Sequence, residues 1–272
     1  MSLTDITSLR RSLSEWAGRE ANQRFLQRDQ ESLLRTSLGD PRRRPQLHVA
    51  AWMLGTWHLG HGFVEVLNGN GRGFDEARKG QALRRCSLLL RRDHQQPLRR
   101  TSAKLPFSLV HGTLTALLGL ALHDPGAEAL YDVLRNQPDT AFGPEDHLAL
   151  FVRELLTLRA GERPSLTPRL GPYHEVLMHW NGDQRVFAQH LVQLLDVHMK
   201  LARGSGPPFD DPPCQMYPVE VLAIRSVRDL LGMPTPKVDH ALMFTNLVTM
   251  MPQAPWPADE LVQRLERELR SR

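Results

Sequence analysis

The first residues to consider for chemistry are His58-Leu59-Gly60-His61, two imidazoles three positions apart in a helical register. Paired histidines on one helix face are a frequent start of a zinc site, but a His-Glu-x-x-His site spaces them at i, i+4 and places a glutamate between them. Here the spacing is i, i+3, that acid is missing, and Gly60 lowers helix propensity. Trp52, Trp57 and His61 read better as packing between helices, with Gly55, Gly60 and Gly62 letting backbones approach. The run Gly69-x-Gly71-x-Gly73 has the look of a phosphate cradle but lacks the Lys-Ser/Thr of a P-loop, so it reads as a turn. Cys86 follows Arg84-Arg85, which would favour a thiolate, yet no partner base is evident and no Gly-x-Ser-x-Gly elbow occurs. Cys86 and Cys214 are too far apart in sequence for a metal motif and too few for a disulfide framework. The carboxylate pairs Glu145-Asp146 and Asp259-Glu260 suit helix starts. The reading is of a non-enzyme with no catalytic residue, no cofactor and no metal.

A second set of residues forms a spaced pattern. It runs through His174-Glu175-Val176-Leu177, Asn181-Gly182-Asp183, Phe187, Leu191 and His198, then a loop rich in Gly, Pro and Asp. It continues with Tyr217-Pro218-Val219-Glu220, Gly232-Met233-Pro234 and Asp239-His240. Physically, Asp183 suits an N-cap, because its carboxylate accepts from orphan backbone N–H groups and meets the positive end of the helix. Phe187, Leu191, Leu194 and His198 follow at intervals of four, three and four, one inward stripe. His198 reads as a core histidine bonded to a carbonyl. Pro218 suits the first helical position, with the Tyr217 ring covering the helix end.

This pattern resembles the immunity-protein-49-like family of polymorphic-toxin immunity proteins. The likeness extends more weakly forward, through Ala51-Trp52 and Phe63, the basic segment near Gln81 to Arg92, and His147-Leu148 to Leu158. It implies a helical protein that binds a cognate toxin domain, encoded next to it, and occludes that toxin in the cytoplasm. Other readings of the residues are a helical-repeat scaffold or regulatory protein-binding module, and a helical enzyme with a site near His58/His61.

Positioning any of these residues falls to helices. Apolar spacing predicts them near Asp5 to Leu38 with a break at Gly18, Leu47 to Leu67, Asp75 to Arg92, Ser102 to Leu122, Ala127 to Asn136 and Glu145 to Ala160. Others fall near Pro172 to Trp180, Asp183 to Ala202, Gln215 to Leu231, Val238 to Met250 and Pro257 to Leu269. The 20 prolines fall mainly between these segments, where a fixed φ and a missing donor end helices. The expected fold class is all-α. About ten helices pack as a compact bundle or a solenoid-like array of hairpins, in a single domain over 1–272. The alternation Phe63-Val64-Glu65-Val66-Leu67 admits one short β element near 63–74.

Charge divides the chain. Residues 1–104 hold 19 Lys+Arg against 10 Asp+Glu, and residues 105–272 hold 15 against 20. The triplet Arg42-Arg43-Arg44 between Pro41 and Pro45 and the pair Asp210-Asp211 in the proline-rich loop are the charged places where partner contact is expected. A basic face without an aromatic platform or a reader motif argues against nucleic acid as the partner. No apolar run approaches the roughly 20 residues needed to span a bilayer, and Met1-Ser2-Leu3-Thr4-Asp5 lacks a leader's charged start. A cytoplasmic location without membrane contact is expected.

Overall fold

The protein is described by a computed structural model covering residues 3–95, 109–204, 208–252 and 255–270. It is all-α, with no strand among the described residues. Helices of eight residues or more are α1 (Leu3–Gly18), α2 (Asp29–Ser37), α3 (Arg44–Leu67), α4 (Gly73–Gln95) and α5 (Leu109–Ala121). They continue with α6 (Glu128–Arg135), α7 (His147–Arg159), α8 (Gln184–Ala202), α9 (Val219–Leu230) and α10 (Glu260–Arg270). None is long and apolar enough to cross a membrane.

The chain divides into two compact units, one of residues 7–108 with 246–272 and the other of residues 1–6 with 109–245. The first holds 23 Lys+Arg against 13 Asp+Glu, the second 11 against 17; we call them the basic and acidic units. The C-terminal segment, which lies in the acidic half of the sequence, packs in the basic unit. Three cations of α4 hold it there. Arg78 donates to the Pro252 carbonyl at 2.9 Å, Lys79 meets Asp259 at 3.2 Å and Arg85 meets Glu266 at 2.7 Å.

The basic unit is built on the hairpin of α3 and α4. Its connection, Asn68 to Arg72, is tied by Gly69 at φ +91°, by the Asn70 amide donating to Glu65, and by the Arg72 N–H donating to the Asn70 side chain. The glycine run is therefore an interhelical turn. Beyond it the two backbones touch. A Cβ on Gly62 would lie 2.4 Å from the Gly73 carbonyl oxygen, and one on Gly80 would lie 2.4 Å from the Leu59 nitrogen and 2.6 Å from the Gly55 oxygen. Gly60 admits the Trp16 ring in the same way. On the other side, Leu34, Leu47, Leu54, Leu83, Cys86, Leu261 and Leu265 form one continuous core. Cys86 is fully buried in it, which removes the reactive-thiol possibility.

The Phe63–Leu67 segment is the last turn of α3, so the short β element near 63–74 is not formed. Gly62, Phe63, Val66 and Leu67 are the buried positions, a helical spacing that the alternating valines disguised. The break after α1 falls at Arg19, whose ψ of 123° is extended, and a π-helical turn at Gln23–Arg28 follows before α2.

In the acidic unit α5, α7 and α9 are buried around most of their circumference and form the centre. Phe151 of α7 stacks on Tyr173 with centroids 4.6 Å apart. The helix expected over Val238 to Met250 is replaced by the 3-10 turn Ala241–Phe244, extended Thr245 at the end of this unit, and the short helix Asn246–Thr249, which already belongs to the basic unit. His240 is extended and accepts from the Leu242 N–H, and the Thr245 hydroxyl donates to the Leu242 carbonyl, which closes the first turn before a helix propagates.

The glycine contact gives a direct test. Gly80→Ala is expected to destabilise the protein by about 2–3 kcal/mol, because backbone rather than a flexible side chain blocks the new methyl. Gly18→Ala, with open space around it, is expected to be neutral or to stabilise by up to about 1 kcal/mol. Urea unfolding of both variants measures the contrast, and equal midpoints would contradict it.

Candidate functional site

Close approach of α3 and α4 creates a cleft beside the hairpin turn. His58 points across to Glu76 of α4, with Nδ1 2.5 Å from the carboxylate Oε2. Its imidazole is buried, and Glu76 is about half-exposed. The hydrogen bond from His58 holds the Glu76 carboxyl below the usual carboxylate range, against the opposing effect of partial burial and with help from the charges of His58 and Lys79. His61, one turn along, stacks on Trp57 at 4.7 Å between centroids. Three polar atoms in this cluster have no hydrogen-bond partner: His58 Nε2, His61 Nδ1 and Trp57 Nε1. The adjoining space, about 470 Å³, is also lined by Glu65, Asn70, Arg72 and Asp75.

Chemically, this is an oriented histidine. A carboxylate on Nδ1 fixes the ring, as an acid orients a catalytic base, but Nε2 is itself buried. No serine, threonine or cysteine lines the cleft among the described residues, so it offers no nucleophile of those types. Glu76 is the residue that reading the sequence missed. It lies 18 positions from His58, and only the hairpin brings the two together.

The patterned residues lie in the acidic unit. Asp183 accepts from the N–H groups of Arg185 and Val186 at 2.7 and 3.2 Å and so opens α8; these bonds hold its carboxyl below the usual range. Phe187 and His198 are fully buried on the inner stripe of α8. Tyr217 is fully buried as well, and Pro218 occupies the cap position one residue before α9 rather than its first helical position. His198 bonds to more than a carbonyl. Nε2 donates to the Gln215 carbonyl at 3.1 Å and Nδ1 donates to the Glu220 carboxylate at 2.7 Å, with neither side chain exposed. Burial lowers the His198 pKa, but the Glu220 charge and the hydrogen bonds outweigh it, and the net shift is upward. The buried Tyr173 phenol is pushed up, by burial first and then by the Glu220 charge.

Arg228 was not foreseen either. Fully buried on α9, it donates to the carbonyls of Trp180 and Pro234 and lies over the Phe187 ring at 4.4 Å. Burial lowers its pKa. Gly232, at φ +69°, turns the chain so that Pro234 can accept this bond.

The charged groups expected at a partner surface fall in different units. Arg42 and Arg43 are exposed on the turn Pro41–Arg43 of the basic unit, with Arg43 3.6 Å from Asp40. The side chain of Arg44 lies outside the described residues. Asp210 is exposed in the acidic unit, and Asp211 is partly covered beside the short helix Pro212–Gln215. Compared with protein-family models, with curated proteins and with solved structures, the chain gives no match.

The buried pair has a pH signature. A folded-state His198 pKa above the unfolded value of about 6.5 contributes stability that is complete below that value and is lost as pH rises through the folded-state pKa. The urea midpoint of the wild type is therefore expected to fall between about pH 6 and pH 9 by more than that of His198→Gln. His198→Gln should also cost about 3 kcal/mol at pH 6, because Glu220 loses its buried partner. Parallel pH profiles for the two proteins would remove the pair's role.

Proposed function

We propose that the chain is an immunity protein of the immunity-protein-49-like kind, which neutralises a cognate toxin domain by binding and occluding it in the cytoplasm, without catalysis. One observation carries the reading beyond the sequence pattern itself. The patterned residues Asp183, Phe187, His198 and Tyr217 are spent on a helix cap and a core. They thus support a common scaffold rather than an active site, which is what a family of inhibitors facing different toxins requires. Recognition then belongs to surface charge. The basic unit carries ten more positive than negative side chains, and Arg42 and Arg43 stand exposed on it. Such a face steers and orients an acidic partner. Asp210 and Asp211 give the acidic unit a contact of opposite sign.

A second reading, a helical enzyme acting at His58, is favoured by one specific observation: Glu76 orients the His58 imidazole beside a cleft of about 470 Å³. A binding scaffold for an unrelated protein is the third.

Co-expression separates them. With the toxin domain encoded beside it, the chain is expected to restore growth and to form a stable stoichiometric complex. Charge reversal at Arg42 and Arg43 should weaken that complex by about tenfold or more. No rescue and no complex would end the immunity reading. A His58→Ala variant that binds the toxin as tightly but no longer rescues growth would replace occlusion with chemistry at the cleft. A complex with another protein and no rescue would leave the scaffold.

A further inference from the structure

We propose that Glu175, His179 and His190 form a binding site for a first-row divalent transition cation of the zinc class. The site lies wholly within the acidic unit and stands apart from the toxin-binding reading.

Two imidazoles and one carboxylate make a ligand set that zinc accepts, with a fourth position left for water or another side chain. Two nitrogen ligands disfavour calcium and magnesium, which require oxygen cages. The three residues each offer one ligand atom, and these atoms lie within 4.8 Å of one another. Around a zinc ion with bonds of about 2.0–2.1 Å, tetrahedral ligand atoms are about 3.4 Å apart. Contraction by about 1–1.5 Å is within reach of side-chain rotation, because Glu175 is exposed and both histidines are only partly covered.

The backbone brings the three together before any ion arrives. Glu175 lies in the short helix His174–Met178, and His179 follows it by four residues, on the same side of that turn. The Gly182 N–H donates to the His179 carbonyl at 2.9 Å, and Asp183 caps α8, so the corner between the two helices is set by its own hydrogen bonds. His190, two turns into α8, then lies against His179, ring centroids 4.6 Å apart and planes 30° from parallel.

Hydrogen bonding also selects the tautomers. His179 Nδ1 is 3.0 Å from the Glu175 backbone carbonyl, which only accepts, so Nδ1 carries the proton and Nε2 keeps its lone pair. His190 Nδ1 is 3.2 Å from the Gln193 side-chain oxygen, with the same consequence. An Nδ1 proton given to an oxygen, with Nε2 left to ligate, is the outer-shell arrangement of metal-binding histidines. By contrast, no group of three ligands forms around His58 and His61 among the described residues, even though their spacing in the sequence first drew attention to them.

The experiment is a zinc titration of untagged, chelator-stripped protein by calorimetry, with thermal unfolding in parallel. One equivalent per chain is expected, with micromolar or tighter affinity, together with a rise in unfolding temperature that Mg²⁺ does not produce. His179→Ala and His190→Ala should each lower affinity by at least tenfold and abolish the rise, whereas His61→Ala should keep both. All three variants change partly exposed or surface-facing rings, and their circular dichroism should match the wild type. Absence of zinc binding below about 100 µM, or binding unchanged in a His179→Ala/His190→Ala double variant, would overturn the site.

Discussion

Backbone contact between α3 and α4 is the constraint on which the basic unit depends. Four glycines, Gly55, Gly62, Gly73 and Gly80, lie where any side chain would meet main-chain atoms of the other helix. Their entropic cost in helix interiors is offset by the surface the two long helices bury against each other. Close approach also decides what the remaining side chains meet. It brings Glu76 within reach of His58, places Arg84 under the Trp52 ring at 4.2 Å, and orients Arg78, Lys79 and Arg85 towards the returning C-terminal segment. The cleft and the dock for α10 follow from one register of two helices.

The acidic unit reaches order by a different route, through charge taken into its core. His198 and Glu220 are both fully buried, and the cost of that burial is offset by the bond between them and by the bond from His198 to the Gln215 carbonyl. Arg228 is held by carbonyls of the segments that precede α8 and follow α9. Together these groups tie α8, α9 and their flanking turns in one arrangement, since a slip of either helix would leave a buried charge without its partner. Of the patterned residues, His198 and Glu220 belong to this network and Phe187 lies under Arg228, so the functional proposal rests on the scaffold rather than on a reactive centre.

Features that depend on neighbours along the chain were legible in advance. The cap at Asp183, the inward stripe of Phe187 and His198, and the use of Gly55, Gly60 and Gly62 for close packing all follow from spacing within one or two helices. Phe63 to Leu67 misled because alternating valines look like a strand over five residues, while the 24-residue helix containing them shows only over a longer window. Residues 238–250 misled in the opposite sense, since apolar spacing there cannot reveal that His240 and Thr245 turn their own backbone away from helix.

The sequence by itself determined an all-α protein, the approximate place of its helices, the division of charge and the inward faces, because capping, periodicity and proline act over a few residues. Only the tertiary structure decided which helices touch, that the C-terminal segment joins the basic unit, and which distant groups meet. His58 with Glu76, His198 with Glu220 and His179 with His190 are each separated by between 11 and 22 positions. Their meeting depends on the register of packed helices, which is set by the sum of many contacts and is written in no single motif.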